Sequence, residues 1–142
     1  MLIVTPADYL ASPTAASTLL RWVSSADGQR VDSHGEGAIG LLPRDEELVL
    51  ALPPRALSWH RVALPRVSGP RLRAALDGLL EDRVLGEVGE LHHALEPGGR
   101  PGQPVWVACT DRARLRGWVR ALESSGRPVA RIEPTLWPQV AA

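Results

Sequence analysis

No lysine and no phenylalanine occur in this sequence; all sixteen basic residues are arginine, and five tryptophans with one tyrosine supply the aromatic content. An arginine-only set of cations reads as a trace of base composition in the coding DNA rather than as a phosphate-binding device. Sixteen acids balance the sixteen arginines, so the formal net charge is zero, which argues against a generic polyanion-binding role. A single cysteine, Cys109, excludes an intrachain disulfide and suits a reducing compartment. It ends an apolar strand, so it reads as a buried, inert thiol. No apolar run approaches the roughly 20 residues of a membrane-spanning helix. The opening MLIVTPADYL has neither the basic region nor the long apolar core of a secretory signal.

What the chain does have is an ordered series of short elements, organised around residues 47–96. Residues 47–52 form an apolar, β-compatible run that Pro53-Pro54 breaks. From Ser58 to Leu64 the chain alternates, with Trp59, Arg61 and Ala63 on one side and His60, Val62 and Leu64 on the other. That period of two marks a half-buried strand, and the short link predicts an antiparallel hairpin between the two runs. Ser68-Gly69-Pro70 then supplies a capping hydroxyl and a proline for a first helical turn. Leu72, Ala75, Leu76, Leu79, Leu80 and Val84 recur at helical spacing and predict a stripe packed on the hairpin. Gly78 inside that helix costs about 1 kcal/mol relative to alanine, which packing of the stripe must offset. The helix gives out near Gly86 and Gly89, and residues 91–95 read as a further strand.

The remaining elements are plainer. Residues 2–4 predict a first strand, 7–17 a loop or mobile arm, and 18–23 a second strand closed by the turn Ser24-Ser25-Ala26-Asp27-Gly28. Residues 31–42, with Gly35, Gly37 and Gly40, read as a loop between strands. A glycine-rich phosphate cradle would have to open a helix or carry a Lys-Ser/Thr signature, and neither is present. Residues 97–104 are an exposed proline- and glycine-rich loop. Residues 105–109 read as a central strand covered on both faces. A helix capped by Thr110 or Asp111 then buries Leu115, Trp118, Val119 and Leu122 and ends at Gly126, before a last strand over 129–132. From residue 47 the order is therefore ββαββαβ, an α/β (α+β, mixed-sheet) architecture, and the length of 142 residues predicts one domain.

These pieces, in this order, resemble a known family. The strand ending Leu64-Pro65, the helix with Ala75-Leu76 and Leu79-Leu80-Glu81-Asp82, and Leu91-His92-x-Ala94-Leu95 are similar to the cytoplasmic domain of type II secretion protein L. Residues 105–108, Asp111, a helix carrying Trp118, and Ile132-Glu133-Pro134 continue the pattern. The resemblance covers residues 47–138 and departs from it at His93, where an aromatic residue is expected; residues 1–46 are unmatched. It implies an actin-like fold built from ribonuclease-H-like units. It also implies further cytoplasmic sequence, a membrane-spanning helix and a periplasmic domain, so the chain reads as a cytoplasmic piece or a truncated homologue.

The chemistry the sequence offers is sparse. His34, His60, His92 and His93 lack metal-ligand spacing, and the adjacent His92 and His93 point to opposite faces of a strand. No nucleophile elbow occurs, and the neighbouring Glu81 and Asp82 diverge on their helix. Actin-like ATPases hold phosphates on glycine-containing turns with a metal-organising aspartate. The corresponding stretch here, Ile3-Val4-Thr5-Pro6-Ala7-Asp8, lacks the Asp-x-Gly pattern. Neither a catalytic residue, a cofactor nor a metal ligand is assigned.

Charge patterning remains. Asp77, Glu81, Asp82, Glu87, Glu90 and Glu96 face only Arg83 over residues 77–96. Arg112, Arg114, Arg116, Arg120, Arg127 and Arg131 face only Glu123 over 112–131. Arg112, Arg116 and Arg120 share one helix face, and with Glu81 and Asp82 they are the candidate partner-binding residues. The family resemblance implies a non-catalytic scaffold at the cytoplasmic face of the bacterial inner membrane that helps recruit the secretion ATPase. Its partners would be that ATPase and other inner-membrane platform proteins, with a homodimer left open. Neither nucleic acid nor membrane insertion by this segment is expected. The alternative is a nucleotide-binding, actin-like ATPase-related domain.

Overall fold

A strand buried at every position, Leu48–Leu52, lies inside the larger of two sheets. The structure is a computed structural model and describes residues 1–13 and 18–138. Its elements are β1 (Leu2–Pro6), β2 (Leu19–Ser24), β3 (Ser33–Ala38), β4 (Leu48–Leu52), β5 (Ser58–Ala63), α1 (Pro70–Leu80), β6 (Leu91–Leu95), β7 (Pro104–Asp111), α2 (Arg112–Ser124) and β8 (Val129–Pro134). The chain gathers them into two compact units, one of residues 1–56 with 113–137 and one centred on residues 57–112.

The first unit holds a five-stranded mixed sheet in the order β3-β2-β1-β4-β8. β3, β2 and β1 form an antiparallel meander, and β4 and β8 continue it in parallel. The sequence LVLAL of β4 explains its place: an uninterrupted apolar run suits a parallel strand with both faces covered. Leu2, Val4 and Leu20 join it in the core, and α2 buries Leu115, Trp118 and Leu122. Gly126, at φ 81°, closes α2, and the N–H of Arg127 returns 3.0 Å to the Leu122 carbonyl.

The second unit is a three-stranded antiparallel sheet, β5-β7-β6, with α1 packed on it. Val62, Val105, Val107 and Cys109 from the sheet meet Leu76 and Leu80 from α1, with Leu64, Leu72, Val84, Val88, Leu91 and Leu95 around them. β7 is the central strand, but its burial alternates rather than being complete on both faces. On its other face Trp106 is half-buried, met edge-on by Trp59 at 6.5 Å between ring centroids and by the Arg61 guanidinium 5.1 Å above its ring.

The ββαββαβ order and the mixed sheet are as expected, while five local readings are corrected. The 47–52 and 58–64 runs are not a hairpin: β4 pairs with β1 and β8, and β5 pairs with β7 in the other sheet. Pro53 and Pro54 have no N–H to carry a ladder, and a 3-10 turn over Pro54–Ala56 takes the chain out of the first sheet. Ser68 caps nothing; Gly69 holds the N-cap position at φ 62° with no side-chain bond, Pro70 follows, and α1 stops at Leu80 rather than near Gly86. Leu79 falls off the stripe and is 42% exposed, whereas Leu76 and Leu80 are buried. Residues 33–38, read as loop because of their glycines, are strand β3. Gly35 is paired with Trp22 across the ladder, and a Cβ there would stand 2.7 Å from the indole Cζ2. Glycine here makes room for the tryptophan on the neighbouring strand, a use of the residue that does not interrupt pairing. Of the arm read over residues 7–17, positions 14–17 lie outside the described residues. Tyr9 is buried, stacked at 6.3 Å and 14° on Trp118, which anchors the preceding part.

Candidate partner-binding surface

The helical repeat of α2 sets Arg112, Arg116 and Arg120 one turn apart on a single face, but the structure uses them differently. Arg112 is half-buried and its Nη2 donates to the Leu91 carbonyl at 2.8 Å, which corrects the expectation that it is an exposed charge. Arg116 and Arg120 are exposed, with neither an ion pair nor a hydrogen bond among the described residues. Most of the other arginines in this stretch have structural work. Arg114 donates to the Leu10 carbonyl. Arg127 is buried and donates from Nη2 to the Leu42 carbonyl at 2.8 Å. Arg131 pairs with Glu47 and Glu133. The six-arginine patch of the sequence therefore reduces to two free guanidiniums one turn apart.

The acidic stretch is thinned in the same way. Asp77 accepts from His93 at 3.0 Å, Glu96 accepts the Trp106 N–H at 3.1 Å, and the one basic residue, Arg83, donates to the Arg61 carbonyl at 2.9 Å. Glu81, Asp82, Glu87 and Glu90 remain exposed, their carboxylates without partners among the described residues. Glu81 follows α1 directly and its N–H closes the helix on the Asp77 carbonyl at 3.0 Å. In the same stretch of chain, Leu85 is fully exposed and Leu79 is 42% exposed. Leu79 was read as part of the buried stripe but lies on the exposed side of α1, and Leu85 comes after α1 has stopped at Leu80. Glu81 and Asp82 belong to the second unit, and Arg116 and Arg120 to the first.

Elsewhere the titratable groups are placed for structure. His92 is exposed, while the His93 side chain is turned inward onto Asp77. Burial, with the Arg83 charge second, holds His60 below its usual value. Cys109 is buried, and burial followed by the Asp77 charge pushes its thiol up to about 11, so it stays protonated at neutral pH. Among the described residues no group of three or more His, Cys, Asp or Glu side chains could hold a metal ion. In the stretch after β1, the Asp8 carboxylate accepts the Leu10 N–H at 3.2 Å and the next residue, Tyr9, is packed inward. No helix of the described residues is long and apolar enough to cross a membrane.

Comparison with known proteins agrees with this architecture. A profile of the family described as Type II secretion system (T2SS), protein L matches residues 12–137, which takes in much of the N-terminal part unmatched by motif. The type II secretion system protein L of Dickeya chrysanthemi is 31% identical over 83 residues, 58% of this chain and 20% of that protein. That of Klebsiella pneumoniae is 29% identical over 127 residues, 87% of this chain and 31% of that protein. The chain thus spans less than a third of these relatives' length. Among solved structures it is similar to the cytoplasmic domain of EpsL, an inner membrane component of the type II secretion system of Vibrio cholerae. That match has a TM-score of 0.67 at 24% identity and covers 94% of this chain and 57% of that one. A chain of the PilM-PilN type IV pilus biogenesis complex gives a TM-score of 0.62 at 15% identity, covering 94% of this chain and 46% of that one. At these identities the structural likenesses speak to the fold alone.

Proposed function

We propose a function from one premise: the chain belongs to the type II secretion system protein L family. In that reading it is a non-catalytic scaffold of the inner-membrane platform. It works at the cytoplasmic face of the membrane and helps recruit the secretion ATPase, with other platform proteins as further partners. The family match across residues 12–137 supports this most strongly. The likeness to the cytoplasmic domain of EpsL, an inner membrane component in Vibrio cholerae, supports the location.

Among the described residues, the free charges give the reading a surface. Arg116 and Arg120 offer an acidic partner two unpaired guanidiniums on a rigid helix, the kind of rim charge that steers encounter more than it sets affinity. Arg116→Glu combined with Arg120→Glu should leave the melting temperature unchanged, because exposed charges contribute only about 0–1 kcal/mol each. The same double variant should slow association with the N-terminal domain of the cognate secretion ATPase. It should also flatten the salt dependence, since less attraction remains to be screened. Arg112 is left alone in this experiment because its loss would free the Leu91 carbonyl. Wild-type association rates across the salt series would remove α2 from the interface.

A further inference from the structure

Within the second unit, α1 and β6 border an open hollow of about 220 Å³ lined by Gly69, Leu72, Arg73, Leu76, His93 and Leu95. Three leucines make the walls aliphatic, and two polar side chains enter it. The His93 side chain is 6% exposed, with Nε2 3.0 Å from the Asp77 carboxylate. Nε2 faces the Asp77 carboxylate, so Nδ1 is the ring nitrogen left to meet a ligand. No described residue hydrogen-bonds to that nitrogen. Arg73 is exposed and has neither hydrogen bond nor ion pair among the described residues. Asp77, its neighbour one helical turn on, is engaged by His93 instead.

A hollow of 220 Å³ lies below the roughly 300–1,000 Å³ of small-molecule sites, so its size suits one amino-acid residue rather than a nucleotide. We propose that it captures the C-terminal residue of a partner polypeptide when that residue is aliphatic. The carboxylate lies on Arg73, the backbone N–H donates to Nδ1 of His93, and the side chain packs on Leu72, Leu76 and Leu95. A chain terminus joins an N–H donor, a carboxylate and an apolar side chain within one residue; an aspartate or glutamate side chain brings the carboxylate without the adjacent donor. The inference stands apart from the ATPase reading, since the hollow is tested without any secretion protein present.

The probe is N-acetyl-L-leucine, added to the isotope-labelled full chain and followed by amide chemical shifts. Saturable shifts confined to Arg73, His93, Leu95 and their neighbours are expected, with an affinity of roughly millimolar for a ligand this small. N-acetyl-L-leucinamide, which lacks the carboxylate, and 4-methylpentanoate, which lacks the N–H, should each bind less tightly. Arg73→Gln, a surface change that keeps the rest of the spectrum, should weaken the acid about tenfold or more. Three outcomes would overturn the proposal: no shifts at these amides, equal shifts from the leucinamide, or binding indifferent to Arg73→Gln.

Discussion

Trp118→Ala should lower the stability of the protein by about 3–5 kcal/mol in urea unfolding, the usual range for emptying a fully buried indole site. Trp118 is 0% exposed, lies between Leu115 and Leu122 on the buried side of α2, and stacks on Tyr9. Its Nε1 also donates to the Tyr9 carbonyl at 3.0 Å, so the variant loses a buried hydrogen bond together with the packing. Trp118→Phe should lose less, because the ring stays and only the donor and part of the area go. A loss below about 1 kcal/mol for Trp118→Ala would mean that the site collapses around the smaller side chain, contrary to this account.

Arg127→Ala is expected to be the second large effect, at about 2–4 kcal/mol. The side chain is 7% exposed and ties the end of α2 to the Leu42 carbonyl, with weaker contacts from Nη1 to the Ser125 carbonyl at 3.4 Å and its Oγ at 3.5 Å. Its removal leaves a buried carbonyl without a donor where the helix turns into β8. Arg127→Met keeps the aliphatic stem and removes the charge with the donors, so it should lose less than the alanine variant. Equal losses for the two variants in chemical unfolding would assign the whole effect to the hydrogen bonds and none to packing.

What the sequence made legible was whatever depends on local periodicity. Leu115, Trp118 and Leu122 recur at helical spacing and are buried; Val62 and Leu64 alternate with Arg61 and Ala63 and turn inward. Pairing is a different matter: the apolar run of β4 suits a covered parallel strand, but its neighbours β1 and β8 lie at distant positions in the chain, and residues 47–64 do not name them. Gly35 misled for a related reason: its lack of a side chain serves Trp22 on another strand. The candidate surface was legible only as charge. Arginines are indistinguishable by type until geometry shows that Arg112, Arg114, Arg127 and Arg131 are engaged while Arg116 and Arg120 are not. Leu79 was misread because helical spacing alone does not tell which edge of an apolar stripe meets the sheet.

Calorimetry on the purified chain distinguishes a protein-binding scaffold from a nucleotide enzyme. The chain would be titrated with the N-terminal domain of its cognate secretion ATPase and, in the same buffer, with ATP and magnesium. The account predicts saturable heat with the ATPase domain and none with the nucleotide. Micromolar binding of ATP, with no heat from the ATPase domain, would contradict it.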